Sequence, residues 1–160
     1  MSQSISLHKK SILVTGGARG LGKAFASSLV EAGAKVAIAD ILVEEGNATA
    51  NSIGAQFFEV DITDPSGVTR CIEEVIKRLG GIDGLVNNAA IATGIGGPRM
   101  TDIEVEVWDK VMDVNVRGTW LVSKAAVPHL AKCGNGKILN LASDTALWGA
   151  TNLMHYVASK

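Results

Sequence analysis

The sequence lacks the features that mark several classes of protein. Its 15 lysines and arginines nearly balance its 16 aspartates and glutamates, for a net charge of −1. No nucleic-acid partner, other polyanion or membrane surface is therefore indicated. No apolar run in the chain approaches the ~20 residues of a membrane span. Residues 1–10 carry no apolar stretch after their charges, which argues against a secretory signal.

Cysteine is also scarce. Cys71 and Cys133 lie far apart, and neither belongs to a CxxC motif or to a cluster of histidines. We therefore predict two ordinary thiols in a reducing compartment, a cytoplasmic protein and no metal site.

What the sequence does contain is an alternation of short β-branched runs with longer helical patterns. Its 160 residues fit one domain, spanning 1–160, that can bury a core. Apolar strands separated by helices predict a parallel sheet covered on both faces, in a doubly wound, Rossmann-type α/β fold. The predicted strands are 11–15, 35–39, 56–60, 84–87 and 137–141. The predicted helices are 21–32, 43–53, 64–79, 104–131 and one that begins near Asn152.

A glycine-rich turn follows the first predicted strand and opens the first predicted helix. Residues 15–22 read Thr-Gly-Gly-Ala-Arg-Gly-Leu-Gly, and Gly16, Gly20 and Gly22 permit a tight turn that a pyrophosphate can approach closely. The helix N-terminus adds unpaired N–H groups and a positive partial charge. In this strand–turn–helix context, the motif favours a dinucleotide site over a tight turn without a ligand.

Asp40 closes the second predicted strand, ~20 residues beyond the turn. A carboxylate there can accept hydrogen bonds from both adenosine ribose hydroxyls and would repel a 2′-phosphate, which favours NAD over NADP. Arg19 argues weakly for NADP, because a guanidinium could meet that phosphate. We weigh Asp40 more heavily, since burying two anions together is costly. Asp61, at the end of the third strand, either accepts from the adenine amino group or caps a loop.

A tyrosine and a lysine stand four positions apart in Tyr-Val-Ala-Ser-Lys at 156–160. On a helix both side chains point into the same space, and a fixed ammonium helps a phenol to give up its proton. Tyr156 is therefore a candidate general acid/base. The spacing alone is also typical of an amphipathic helix face. The glycine turn and Ser143, upstream of the pair, favour the catalytic interpretation.

Together these residues resemble the short-chain dehydrogenase/reductase family in its common type. The resemblance covers essentially the whole chain, with its motifs in the family's order and spacing. The matching motifs are residues 15–22, Asp61, Asn-Asn-Ala-Ala at 87–90, Asn115, Ser143 and Tyr-Val-Ala-Ser-Lys at 156–160. Ala90 stands where the family usually has glycine, and we expect its methyl group to be tolerated.

The resemblance implies hydride transfer between a nicotinamide and a secondary alcohol or ketone. Tyr156 would exchange the proton at the substrate oxygen, which Ser143 would hold by a hydrogen bond. Lys160 would hold the nicotinamide ribose and stabilise the tyrosinate, and Asn115 would complete a proton path through water to Lys160. Ser143 could instead cap a loop, and Asn115 could be a polar residue satisfied by backbone. The implied cofactor contacts are Gly16, Arg19, Gly20, Leu21, Gly22, Asp40, Asp61, Ile62, Asn88, Ala89, Tyr156 and Lys160.

The resemblance also implies what lies outside the chain. Family members continue beyond the last helical pattern of this sequence, so it looks like the N-terminal part of such an enzyme, and we expect no turnover from it alone. A homo-oligomer, dimer or tetramer, is implied by the four-helix interface common in the family.

The substrate suggested by the sequence is a small neutral, moderately hydrophobic alcohol or ketone. The residues that suggest it are Leu147, Trp148, Ala150, Ile91 and Ile95. The alternatives are an NADP-preferring 3-oxoacyl or carbonyl reductase and an inactive nucleotide-binding fragment.

Overall fold

The computed structural model describes residues 6–92 and 94–160. Residues 1–5, used above in the argument against a secretory signal, lie outside the described residues. So does Thr93, which follows the fourth predicted strand.

Five parallel strands form one sheet in the order β3-β2-β1-β4-β5. β1 lies at its centre, where Leu13 is paired with Ala37 on one side and with Leu85 on the other. The doubly wound parallel sheet predicted from the sequence is therefore confirmed. The strands are β1 (Ser11–Thr15), β2 (Lys35–Asp40), β3 (Gln56–Glu59), β4 (Gly84–Asn87) and β5 (Lys137–Asn140).

The helices follow the predicted boundaries closely in the first half of the chain. α3 begins as its sequence predicts, because Asp64 accepts a hydrogen bond from the Ser66 N–H (3.0 Å) and Pro65 occupies the first helical position. The α-helices are α1 (Gly20–Glu31), α2 (Val43–Ile53), α3 (Pro65–Leu79), α4 (Val105–Met112), α5 (Thr119–Lys132), α6 (Thr145–Trp148) and α7 (Met154–Ala158). A 3₁₀ turn spans Met100–Asp102, and a π-helical segment spans Asp113–Gly118.

The sheet carries a core on each face. On one face, alternate strand residues such as Leu13 and Leu85 pack with α3 and α5, through Val75 and Val122 among others. On the other face, strand residues such as Val14 and Ile38 pack with Ala26 of α1 and Ala50 of α2. Alternation along each strand therefore serves both cores, which is why the strands read as continuously apolar.

Two features of the second half differ from the prediction. The predicted helix 104–131 contains the π-helical segment Asp113–Gly118, which divides it into α4 and α5. The short helix α6 was not predicted. The last helix begins at Met154, two residues after Asn152, because Asn152 adopts a left-handed backbone (φ 59°) that a right-handed helix excludes.

β5 forms an edge of the described sheet, and all four of its residues are exposed. Its apolar members Ile138 and Leu139 are 39% and 54% exposed. Among the described residues, none of the helices has both the length and the apolar character that crossing a bilayer requires.

Candidate active site at the carboxyl edge of the sheet

The carboxyl ends of the strands bring the predicted site residues to one edge of the sheet. The chain moves outward from β1 through β2 to β3, and then returns to the other side of β1 as β4. The crevice where the order reverses is where open α/β sheets bind ligands. The glycine turn follows β1, where the order reverses. Asp40 ends β2 on one side of β1, and Asn88 follows β4 on the other side.

Two glycines of the turn serve close packing, while a third leaves open space. A methyl group on Gly16 would lie 2.7 Å from Cα of Ala89, and one on Gly22 would collide with the Gly16 carbonyl. Gly20 has φ +58°, and a methyl group there would meet nothing within 4 Å. The turn therefore packs tightly against β4 while leaving room beside Gly20 for a ligand.

The N-terminus of α1 faces this space without a cap of its own. Arg19 occupies the N-cap position but makes no side-chain hydrogen bond to the helix, and the first turn has no acidic residue. The first N–H groups of the helix are thus left for a ligand, with the positive end of the helix dipole beside them. This cradle fits the pyrophosphate of a dinucleotide.

Asp40 is half-buried beside the turn and holds it. Its Oδ2 accepts from the Ala18 N–H (3.0 Å), and its Oδ1 accepts from the Leu42 N–H (3.1 Å). Each oxygen keeps a further lone pair with which it can accept from a ligand hydroxyl. Two apolar side chains stand exposed nearby, Leu21 in the turn (66%) and Ile41 directly after Asp40 (62%).

Asp61 and Ile62 take local roles in the structure. Oδ1 of Asp61 accepts from the N–H (2.8 Å) and the hydroxyl (2.7 Å) of Thr63, which is the loop-capping alternative. Ile62 is buried within the core formed with α3 and α5. Its side chain is therefore engaged in packing, and its implied cofactor contact stays a prediction.

Asn88 and Thr15 join the end of β4 to the glycine turn. The Asn88 side chain donates to the carbonyls of Thr15 and Gly16, both at 3.0 Å. The Thr15 hydroxyl accepts from the N–H groups of Asn88 and Ala89, both at 3.1 Å. Asn88 therefore holds the turn in place. Thr15 was not singled out from the sequence, since its role depends on a partner more than seventy residues away.

Asn115 links three parts of the site. Its Oδ1 accepts from the Ile91 N–H (2.7 Å), while its Nδ2 donates to the Ile91 carbonyl (3.1 Å) and to the Ser159 hydroxyl (2.8 Å). Ser159 in turn donates to the Tyr156 carbonyl (2.7 Å). The hydrogen bonds of the buried Asn115 side chain among the described residues thus go to the Ile91 backbone and to Ser159.

Tyr156 and Lys160 lie together over the end of β5. The Lys160 ammonium donates to the Leu141 carbonyl (3.0 Å) and lies 5.8 Å from the centroid of the Tyr156 ring. Burial lowers the pKa of Lys160 from its ordinary value, because the charged form loses hydration. An ammonium has three donors, so this one can still bind other acceptors.

Ser143 lies two residues beyond Leu141 and two residues before Thr145, where α6 begins. Its hydroxyl accepts from the Thr145 hydroxyl (2.8 Å) and N–H (3.3 Å), and donates weakly to Asp144 (3.4 Å). Ser143 thus lies in the segment that follows β5, and Lys160, with Tyr156 beside it, bonds to the same segment through the Leu141 carbonyl. The capping role considered for Ser143 is visible in these contacts.

The surroundings of the site include several apolar surfaces. Leu147 and Trp148 of α6 are 82% and 78% exposed, whereas Ile91 and Ile95 are half-buried. Sequence reasoning missed a cleft of about 210 Å³ between α4 and α7, lined by Met100, Ile103, Val105, Trp108 and Met154. His155, beside Tyr156, is fully buried, and neither of its ring nitrogens has a hydrogen-bond partner among the described residues.

Comparison with known proteins identifies the family. Residues 10–160 match the short chain dehydrogenase family. Sorbitol dehydrogenase from Cereibacter sphaeroides is 40% identical over 157 residues, which cover 96% of this chain and 60% of that protein. A 3-alpha-(or 20-beta)-hydroxysteroid dehydrogenase from Mycobacterium bovis is 37% identical over 153 residues, which cover 94% of this chain and 58% of that protein.

A solved structure shares the fold in detail. The crystal structure of 3-ketoacyl-(acyl-carrier-protein) reductase from Brucella melitensis complexed with NADH superposes with a TM-score of 0.92 at 34% sequence identity. The similarity covers 96% of this chain and 65% of that one. The chain spans about three fifths of the length of the curated relatives it matches.

Proposed function

Since the chain belongs to the short chain dehydrogenase family, we propose that it carries the cofactor and catalytic residues of an NAD-dependent oxidoreductase that interconverts a secondary alcohol and a ketone. One observation carries the proposal. Lys160 lies beside Tyr156 and donates a hydrogen bond to the Leu141 carbonyl, at the same edge of the sheet as the glycine turn and Asp40.

Each part of a dinucleotide has a matching group of residues. The turn at Gly16–Gly22 and the start of α1 would receive the pyrophosphate. Asp40 would accept from the adenosine ribose hydroxyls, and Lys160 would donate to the nicotinamide ribose. A bound nicotinamide supplies the hydride acceptor or donor, which no amino-acid side chain provides.

Tyr156 would move the proton that accompanies the hydride. In alcohol oxidation, the hydroxyl proton of the substrate passes to the Tyr156 oxygen while the carbon loses a hydride, leaving a C=O bond. In ketone reduction, the same oxygen returns the proton. The Lys160 ammonium favours the tyrosinate that this exchange requires, and Ser143 donates a hydrogen bond to the substrate oxygen. A positioned acid/base of this kind contributes about 10²–10⁴-fold to the rate.

NAD is the proposed cofactor because the Asp40 carboxylate would repel a 2′-phosphate on the adenosine ribose. The Brucella reductase, which is described as complexed with NADH, supports the choice. The same likeness favours a second candidate, a 3-oxoacyl reductase, and the NADP-preferring form of that alternative has only Arg19 in its favour. Assays of a polyol, a hydroxysteroid and a 3-oxoacyl thioester with each cofactor would separate these substrate classes.

Self-association and a reducing compartment complete the proposal. Val105, Val116, Trp120 and Val127 are exposed along α4, the π-helical segment and α5, and a homo-oligomer would cover them. Both cysteines are free: Cys71 is buried, which raises its pKa to about 11, and Cys133 is exposed. Free thiols suit a cytoplasmic location.

Replacing Tyr156 with phenylalanine tests the catalytic assignment. We expect Tyr156→Phe to lower kcat by about 10²–10⁴-fold, because it removes only the hydroxyl that moves the proton. NADH binding, followed by fluorescence titration, should stay close to that of the unsubstituted protein. The measurement belongs on the protein as its gene encodes it, with a secondary alcohol and NAD.

The outcomes separate the proposal from its alternatives. Loss of NADH binding in the Tyr156→Phe variant would make the tyrosine structural. If the unsubstituted protein binds NADH but turns over none of the substrate classes, the result would favour the alternative that the chain is an inactive nucleotide-binding fragment.

A further inference from the structure

A second set of contacts fixes the glycine turn from the side of β2. The Ala18 N–H donates to Asp40 (3.0 Å), and the Ala18 carbonyl accepts from the hydroxyl of Thr49 on α2 (2.6 Å). Ala18 is 2% exposed and Thr49 is 4% exposed, so both polar groups of Ala18 are satisfied within the protein. Removing either partner would leave a buried peptide group unpaired, which is costly.

The position of the Thr49 hydroxyl is set by close packing of α2. Gly46 lies one helical turn before Thr49, and a methyl group on Gly46 would collide with the Phe57 ring of β3. The absence of that methyl group lets α2 approach the sheet, where Ala50 is buried beside Thr49. The hydroxyl therefore reaches Ala18 from a rigid element rather than from a loop.

We propose that Thr49 is a positioning residue for the dinucleotide. By holding the Ala18 carbonyl, its hydroxyl fixes the Arg19–Gly20 segment at the start of α1 in the conformation that receives the pyrophosphate. Thr49 is buried and does not touch the ligand, so it acts through Ala18 alone. The inference rests on the proposed function, because it concerns the binding of the same cofactor.

Loss of this hydroxyl should weaken cofactor binding without changing the chemical step. A turn released from Thr49 adopts other conformations, and the apparent dissociation constant rises as the competent fraction falls. A net hydrogen-bond contribution of ordinary size corresponds to an increase of roughly three- to tenfold in the dissociation constant. The kcat at saturating NAD should not change, because Ser143 and Tyr156 lie on other elements.

Three substitutions isolate the hydroxyl. Thr49→Val removes it while keeping the shape of the side chain, and Thr49→Ser keeps it while removing the methyl group. Thr69→Val is the matched control, because the Thr69 hydroxyl donates to the Pro65 carbonyl (3.0 Å) on the exposed face of α3. On the protein as its gene encodes it, NADH dissociation constants, the KM for NAD, kcat and melting temperatures would be measured.

The expected result is a raised NADH dissociation constant and NAD KM for Thr49→Val, with values near the unsubstituted ones for Thr49→Ser and Thr69→Val. A lower melting temperature with unchanged NADH affinity would overturn the inference, and so would equal weakening by Thr49→Ser. If Thr49→Val does not fold, the difference between Thr49→Ala and Thr49→Ser provides the same test. No NADH binding by the unsubstituted protein would overturn the proposed function as well.

Discussion

At the scale of single residues, Asp40 has two roles, and the sequence predicted only the proposed contact with the cofactor ribose. The second role is to hold the backbone of the glycine turn. Its oxygens accept from the Ala18 and Leu42 N–H groups, and this fixes the orientation of the carboxylate. The remaining lone pairs are the ones available to ribose hydroxyls. The proposed preference for NAD and the shape of the turn therefore depend on the same side chain.

We expect Asp40→Asn to raise the KM for NAD by about tenfold or more and to relax the preference over NADP. The amide removes the negative charge. Its NH₂ group is a donor, so it faces one of the two N–H groups from which the carboxylate of Asp40 accepts a hydrogen bond. Steady-state kinetics with both cofactors provide the measurement. Asp83→Asn is the control, since Asp83 also accepts from a backbone N–H, that of Ser11 (2.9 Å), but lies directly before β4 at the amino ends of the strands. An unchanged KM for NAD would show that the cofactor argument is wrong.

At the scale of elements, the π-helical segment Asp113–Gly118 sets the position of Asn115. The wider helical turn places this buried side chain against the Ile91 backbone and Ser159. The segment thus joins the long helix to the loop after β4 and to the helix of Tyr156. An interruption of this kind within a helix is often found at functional sites.

We expect Asn115→Ala to destabilise the protein by about 2 kcal/mol or more, because it leaves the N–H and the carbonyl of Ile91 without their partner. Urea denaturation would measure the change. Asn47→Ala is the matched control: Asn47 donates to the Val43 carbonyl (2.9 Å) on the exposed face of α2, where water replaces the lost bond. Equal losses of stability for the two variants would contradict a linking role for Asn115.

The elements themselves were largely predictable from the sequence, and the links between them were not. Apolar runs and the Asp64-Pro65 signal are local patterns, so the strands and the first three helices were placed within about one residue of their ends. The π-helical segment has no local signature in a continuous helical pattern. The bonds of Thr15 to Asn88 and of Thr49 to Ala18 depend on which elements become neighbours, and no local pattern contains that information.

At the scale of the whole molecule, the centre of the sheet and its β5 edge differ in burial. The central strands β1 and β2 are buried, whereas β5 exposes Ile138 and Leu139 along an edge. An exposed apolar edge strand offers unpaired backbone groups to another chain. The 160-residue chain studied alone should therefore associate through β5.

We expect Leu139→Lys to reduce this association, because a charge on the edge opposes pairing with a second strand. Sedimentation velocity at several protein concentrations would measure it. Val43→Lys is the control, since Val43 is 40% exposed on α2 and lies away from the β5 edge. A monomeric chain that melts cooperatively without any substitution would contradict the expectation.

The order of the strands along the chain also determines which residues of the proposed cofactor site are synthesised first. β1, β2 and β3 are neighbours both in the chain and in the sheet, so the half that contains the glycine turn, Asp40 and Thr49 is synthesised first. Asn88, which holds the other side of the turn, emerges later and bonds to residues already made. A growing chain thus contains the residues of the proposed pyrophosphate site before Asn88 is available to bond to the glycine turn.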